Sequence, residues 1–441
     1  MFLARAVVTL AGKAVMLGIG FGLSILTARL LGAEGKGQLS IALLPATVFV
    51  MLGGLGLENS NQFLRAREKT PLASLLGNSS LVATLMSVVL GLLFWATWPW
   101  LRAGLGGVDP RYIVLAMAIL PFGLMLNYTQ GLLLVEGRVP LFNAVKLVQP
   151  AGFFVLLVVL ALSNRVVVGS ATVVFVASFA LACMVAMGCL TRIAGGWTWD
   201  AATLRRSLGY GGRSYVGNIF HYLNLRLDIY LLNLFLLPRE VGLYVVAVSV
   251  AQVLSYLPQT FGMLLFPRTM KSAQQEGERF TARLVRMNLW IMLVGGAGLA
   301  LVTPWLVPAV YGAEFHDSLP ALYVLLPAII AMGYSVILGG FFFGRGRPLL
   351  VSISSGIALV TNIALNVILI PRLGIVGAAA ASFLSYGSQA LVLAVAFLRA
   401  THLPVSSLVL QPAQDRKFAA ELVRDVRERL HLVRRPRCAA A

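Results

Sequence analysis

Apolar residues in this chain gather into runs of about 20 positions or more, parted by short polar turns. A helix of that length crosses a hydrocarbon core of roughly 30 Å, and it satisfies its own backbone hydrogen bonds in lipid, which an open strand cannot do. Ten-residue segments of alternating polarity, the mark of an outer-membrane barrel, are not seen. Twelve runs are counted, centred near residues 17, 49, 86, 122, 151, 178, 224, 254, 295, 331, 359 and 386. The turns between them carry glycine or proline: Glu-Gly-Arg after the fourth run, Leu-Pro-Arg-Glu after the seventh, Gly-Arg-Gly-Arg after the tenth and Pro-Arg-Leu-Gly after the eleventh. Glycine reaches the dihedrals of a tight turn and proline ends a helix. The first run, from Ala6 to Ala28, is too long for a signal sequence and lacks a small-residue cleavage site, so it is read as the first span. The pattern predicts an all-α membrane protein of about twelve transmembrane helices.

Composition agrees. Hydrophobic residues are 59% of 441 and charged residues 12%, against about 25% in soluble domains. The net charge of +19 invites a nucleic-acid partner, and its distribution argues against one. With the N-terminus placed in the cytoplasm, 27 of the 35 Lys and Arg fall in inner segments and 7 in outer ones, with Arg226 inside a span. That is the positive-inside pattern, and it predicts both termini on the cytoplasmic side. The cysteines Cys183, Cys189 and Cys438 have no metal-ligand or redox spacing.

The two halves echo each other. Gly37 pairs with Gly242, Gly137 with Gly346 and Gly169 with Gly377, at offsets of 205, 209 and 208. A duplicated six-span unit returns to the same side of the membrane. The halves are then related by a pseudo-two-fold along the membrane normal, with a site between them near the midplane. The predicted organisation is an N-terminal six-helix bundle over 1–198, a C-terminal six-helix bundle over 199–402 and a basic cytoplasmic tail over 403–441. Within the tail, Phe418, Leu422, Val426, Leu430 and Val433 follow helical spacing among arginines, which fits an amphipathic helix on anionic headgroups or against a partner.

Ionisable groups within spans are costly and ask for a role. In span seven, Asn218, His221, Asn224 and Asp228 share one helical face, and Tyr222, Arg226, Tyr230 and Asn233 share another. Arg226 and Asp228, two apart, do not face each other. Arg226 suits an anionic substrate group, and Asp228 or His221 suits ion coupling. The competing explanation is a set of interhelical hydrogen bonds that lock span seven to its neighbours. Lys13 and Lys146 lie one or two turns from the cytoplasmic ends of their spans, where lysine also snorkels. Glu58 closes span two with Asn59, Ser60 and Asn61, and Asn127 to Gln130 interrupt span four. Ser249, Gln252, Tyr256 and Gln259 line one face of span eight, and Ser355, Asn362 and Asn366 one face of span eleven. Such stripes either glue helices together or wall a wet chamber.

Gly-Ala-Glu-Gly-Lys-Gly at 32–37 lacks the ending of a phosphate loop. No ATPase module, His-rich metal cluster or nucleophile elbow stands out, so no cofactor is expected beyond a coupling proton or sodium ion. The segment Ala28-Arg29-Leu-Leu-Gly-Ala-Glu-Gly-Lys-Gly37 resembles a signature of polysaccharide-unit flippases. So does Arg226-Leu-Asp228-Ile-Tyr-Leu-Leu with Pro-Arg-Glu-Val-Gly242-Leu-Tyr. These flippases belong to the multidrug/oligosaccharidyl-lipid/polysaccharide exporter superfamily. The resemblance implies a V-shaped pair of six-helix bundles in the bacterial cytoplasmic membrane. They would move undecaprenyl-pyrophosphate-linked oligosaccharides outward by alternating access, beside a glycan polymerase or assembly proteins. By that analogy Arg226, Lys13 and Lys146 hold the anionic headgroup, with Asn127, Gln252 and Asn362 lining the path and Asp228, His221 and Glu58 in ion coupling. The alternatives are a cation-coupled multidrug exporter using Asp228, Glu58 and Phe341 to Phe343, a membrane-embedded glycosyl-transfer or polymerising enzyme, and a non-transporting scaffold.

Overall fold

The computed structural model describes residues 2–271 and 274–410. The predicted tail helix over 415–437 and the side chain of Lys13 lie outside the described residues. Among the described residues there are helices and turns and no strand. Nine stretches are long and apolar enough to cross a membrane.

Two of the nine are bent pairs. Gly32 adopts φ 68° and ψ −178° inside the helical stretch Phe2–Leu52, a conformation open essentially to glycine. The Lys36 ammonium donates to the Ser24 carbonyl at 2.7 Å. Twelve residues of straight helix would part those positions by about 18 Å, so the chain bends sharply at Gly32. It forms α1 (2–31) and α2 (33–52). Gly374, at φ 57° and ψ −135°, does the same within Pro348–Thr401, giving α11 (348–373) and α12 (375–401). Between them run α3 (Leu72–Leu101), α4 (Pro110–Val135), α5 (Val139–Leu162), α6 (Val168–Ala194), α7 (Ala201–Phe235), α8 (Pro238–Gly262 and onward to Lys271), α9 (Gln274–Tyr311) and α10 (Leu319–Gly344). Helix α7 is 35 residues long and too polar to be one of the nine. Each predicted run centre falls in its own helical segment.

Small residues set the close contacts. Ala28, Ala33, Ala42 and Ala46 on α1 and α2, Ala247 and Ala251 on α8, and Ala378, Ala379 and Ala381 on α12 are all buried, which lets backbones approach where no hydrophobic effect drives helices together. Leu92, Trp95, Val159, Met184, Leu301 and Val360 are exposed, an apolar flank that suits a hydrocarbon solvent.

Helix α2 breaks just past Leu52. Leu55 (φ 50°) and Gly56 (φ 69°) are left-handed, and the helix restarts as Leu57–Arg67. Glu58 therefore opens a new helical segment, where the sequence suggested the close of an old one. Tyrosine hydroxyls reach main-chain oxygens at the break. Tyr215 donates to Met51 at 2.6 Å and Tyr128 to Gly53 at 2.5 Å. Buried Asn61 donates to Ser79 and to the Tyr128 carbonyl, each at 2.9 Å, so its role is architectural.

The start of α7 is fixed by Asn78 of α3, which exchanges two amide hydrogen bonds with Asp200, at 2.9 and 3.1 Å. Asp200 also caps α7 by accepting from the amides of Ala202 and Thr203, the usual device for orphan donors at a helix start. An ion pair between Arg206 and Glu68 at 2.7 Å and stacking of Tyr210 on Phe63 extend that anchorage to the restarted part of α2.

Candidate functional site

Helix α7 divides its polar residues among different neighbours. Asn224 and Asp228, one turn apart, turn toward α11 and α12 and are buried. Asn224 accepts from Ser385 at 3.0 Å, and Ser385 also donates to the Ala358 carbonyl at 2.8 Å. One layer away, Asp228 Oδ2 accepts from Ser382 at 2.8 Å and from Tyr244 of α8 at 2.9 Å. Asp228 Oδ1 accepts from Asn366 at 3.1 Å. The Asn366 amide also donates to the Asn362 side-chain oxygen at 2.9 Å. Gln389 donating to Ser355 at 2.9 Å continues the ladder between α11 and α12.

Asp228 is 4% exposed, and none of the ion pairs among the described residues involves it. Its partners are a phenol, a hydroxyl and an amide. Removing a bare carboxylate from water without a counter-charge is strongly unfavourable, and none of these three partners carries a positive charge. The Asn362 side chain is also in hydrogen-bonding reach of Asp228, and Asn366 Oδ1 is buried there without a partner. A small cavity of about 70 Å³ adjoins the carboxylate and is lined by Arg226, Tyr244, Gln252, Ser382 and Tyr386. That is room for several waters.

A second centre lies on the N-terminal side. A chamber of about 400 Å³ is lined by Met16, Thr47, Asn127, Gln130, Lys146, Gln149, Phe179 and Tyr222 among others. Lys146 stands 4.6 Å from the Phe142 ring centroid. Glu58 lies within electrostatic range of both Lys146 and Tyr215, and Asn127 is in hydrogen-bonding reach of Tyr215. Gln149 donates to Ser178 at 3.2 Å. Among the described residues, the Lys146 ammonium thus lines the chamber amid amides and apolar walls, with the Glu58 carboxylate nearby.

The structure sorts the candidate residues into two groups. Lys146 and Asn127 line the chamber, with Glu58 beside them. Arg226, Gln252, Asp228 and Asn362 gather at the buried carboxylate, and His221 is exposed on α7 and is not among the lining residues of either cavity. The first polar stripe of α7 splits, since Asn218 and His221 are exposed while Asn224 and Asp228 are buried. Of the second stripe, Tyr222 meets the chamber, Arg226 the small cavity, and Asn233 donates to the Gly106 carbonyl at 3.1 Å. Phe341 and Phe342 are buried in a separate apolar cluster with Leu393 and Phe397, away from both cavities. Sequence reasoning missed Tyr244 and Ser382. The signal that could have found Ser382 is its spacing of three and then four residues to Ser385 and Gln389 in an apolar run.

Known proteins give this arrangement a context. Residues 26–320 match a family model described as polysaccharide biosynthesis protein. The probable low-salt glycan biosynthesis flippase Agl15 of Haloferax volcanii is 28% identical over 186 residues, 41% of this chain and 39% of that protein. The chain thus aligns with well under half the length of that relative. The lipid II flippase MurJ in an inward closed conformation superposes with a TM-score of 0.75 at 13% identity, over 92% of this chain and 89% of that one. An inward-facing multidrug resistance MATE family transporter of the MOP superfamily gives 0.69 at 14% identity, over 88% and 94%. At such identities the likeness is one of fold.

Proposed function

The chain belongs to the polysaccharide biosynthesis protein family, and from that premise we propose that it is a flippase. It would carry undecaprenyl-pyrophosphate-linked oligosaccharides across the bacterial cytoplasmic membrane by alternating access. The observation that carries the proposal is the pair of centres on one helix. Tyr222 of α7 faces a chamber holding Lys146, and Arg226 and Asp228, one turn on, meet a buried carboxylate pocket. A substrate headgroup reaching from the chamber to Arg226 is coupled through α7 to an ion bound at Asp228.

In this mechanism the pyrophosphate is drawn inward by Lys146 and Arg226, joined by Lys13 on the strength of the family resemblance. Asn127 and Gln252 offer amides to the headgroup or to sugar hydroxyls, and the lipid tail stays in the bilayer. A 400 Å³ chamber is too small for an oligosaccharide diphosphate, so the halves must part on one side to admit it. Asp228, with Asn362 and Asn366, takes a proton or sodium ion in one state and releases it in the other. Loss of the ion leaves a bare carboxylate, and that cost biases the equilibrium between states. His221 and Glu58 are the further candidates for ion coupling. Both termini are cytoplasmic in this scheme, and a glycan polymerase or assembly protein receives the product.

Arg226→Ala in proteoliposomes tests the headgroup role. Loss of a charged hydrogen bond to phosphate slows flipping by about tenfold to a hundredfold. A wild-type rate would remove Arg226 from the path. The sparse charge of the chamber favours one second reading, a cation-coupled multidrug exporter. That reading predicts altered sensitivity to cationic drugs with normal surface polymer.

A further inference from the structure

The segment Ala28–Gly37 carries the sequence resemblance, yet none of its residues lines either centre. Its contacts run to the other half of the molecule. A Cβ added to Gly37 would lie 1.7 Å from the Pro238 carbonyl oxygen, and one added to Gly242 would lie 1.9 Å from the Ala33 carbonyl oxygen. Both contacts join residues whose numbers differ by 205 crosswise: Ala33 corresponds to Pro238, and Gly37 to Gly242. The contact is therefore its own mirror under the internal repeat. Equivalent residues that touch each other sit on the axis relating the halves.

Arg29 adds a charged tie. Its guanidinium donates from Nε to the Val310 carbonyl at 2.9 Å and from a terminal nitrogen to the Ala309 carbonyl. These oxygens belong to the last turn of α9, where carbonyls lack partners within their own helix and a cation meets the negative end of the helix dipole. Arg29 of one half thus caps a helix of the other. Lys36, 4% exposed, makes the segment rigid. Its ammonium is held by the Ser24 carbonyl and hydroxyl and by the Thr27 hydroxyl at 2.7–3.2 Å. On the far flank, a Cβ on Gly107 would meet the Pro238 ring at 2.6 Å, so Pro238 is clasped between two glycines.

We propose that Ala28–Gly37 is a latch that closes the outer side of the transporter, with Arg29 as its releasable tie and the Gly37/Gly242 contact as its seat. The proposal rests on the alternating-access reading. The seat is main chain against main chain and demands glycine at both places. The tie uses carbonyl acceptors, so opening costs hydrogen bonds without separating a pair of opposite charges.

The test reads accessibility and needs no glycan. Cys183, Cys189 and Cys438 are replaced by Ser, and Thr47→Cys in the chamber serves as reporter. A membrane-impermeant maleimide is applied to intact cells and to inverted vesicles. Arg29→Gln, by loss of a charged hydrogen bond, and Gly37→Ala and Gly242→Ala, by unseating the main-chain contact, each raise the ratio of labelling in intact cells to labelling in inverted vesicles by about tenfold. Labelling in inverted vesicles falls in parallel. The double variant Gly37→Ala/Gly242→Ala adds little, since each change alone unseats the same contact. Gly188→Ala, where an added Cβ meets nothing within 4 Å, matches the parent. Unchanged labelling in all three variants would overturn the latch, as would a rise on both sides, which marks a loosened fold. A wrong substrate assignment would leave these labelling shifts in place, so the two failures are distinguishable.

Discussion

At the scale of single residues, Asp228 is where burial and chemistry meet. Substitution by Asn keeps the shape, and an amide still bonds to hydroxyls, so Asp228→Asn is expected to fold. What it loses is the charge that selects a cation or proton. Thermal unfolding in sodium and in a bulky organic cation separates the two proteins. The parent is stabilised by sodium in proportion to occupancy, and Asp228→Asn is indifferent to it. Equal responses would assign Asp228 to packing alone. The sequence marked Asp228, Asn362 and Asn366 because polar residues at helical spacing in an apolar run are conspicuous. It did not reveal which residues surround Asp228. Tyr244 and Ser382 come from α8 and α12, and their convergence depends on how three helices are rotated against α7. It also did not separate Asn224 and Asp228 from His221, because one continuous stripe on a helix meets protein along part of its length and open space along the rest.

At the scale of elements, turn chemistry decides where helices bend. The run pattern placed a turn after the first span, and Gly32 supplies it with φ 68° and ψ −178°. An alanine in that region costs about 1–3 kcal/mol, so Gly32→Ala should lower the melting temperature clearly, while Gly18→Ala, with open space around its added Cβ, should not. The break in α2 was not legible. Gly53, Gly54 and Gly56 permit it, but the hydroxyls of Tyr128 and Tyr215 that meet its main-chain oxygens come from α4 and α7. The cap of α7 gives a pH prediction outside the apolar spans. The Thr203 hydroxyl, then the amides of Ala202 and Thr203 and the charge of Arg206, hold the Asp200 carboxyl below its usual range against a smaller opposing effect of burial. A depressed carboxylate contributes stability above its unfolded pKa and loses it as pH falls through the folded value. Stability should therefore drop below about pH 4, and Asp200→Asn should flatten that part of the profile. An unchanged profile would remove the cap from the account.

At the scale of the whole molecule, two features tie distant helices together. One is the reciprocal contact of Ala33 and Gly37 with Pro238 and Gly242, which brings the start of α2 against the start of α8. The other is α7, anchored to the N-terminal helices by Asp200, Arg206, Tyr210 and Tyr215 and to α11 and α12 by Asn224 and Asp228. Under the proposed alternating access, motion between the halves loads α7, which carries both the chamber wall and the buried carboxylate. The sequence suggested a repeat through three glycine pairs at nearly one offset. The meeting of Gly37 with Gly242 was not legible there, because an offset says which residues correspond and nothing about where they lie. The central claim is that this machine flips a lipid-linked glycan, and deleting its gene in the native host tests it most directly. The account predicts loss of the surface polymer and build-up of a complete undecaprenyl-linked repeat unit on the cytoplasmic face of the membrane. Normal surface polymer, in a host without a second flippase, would contradict it.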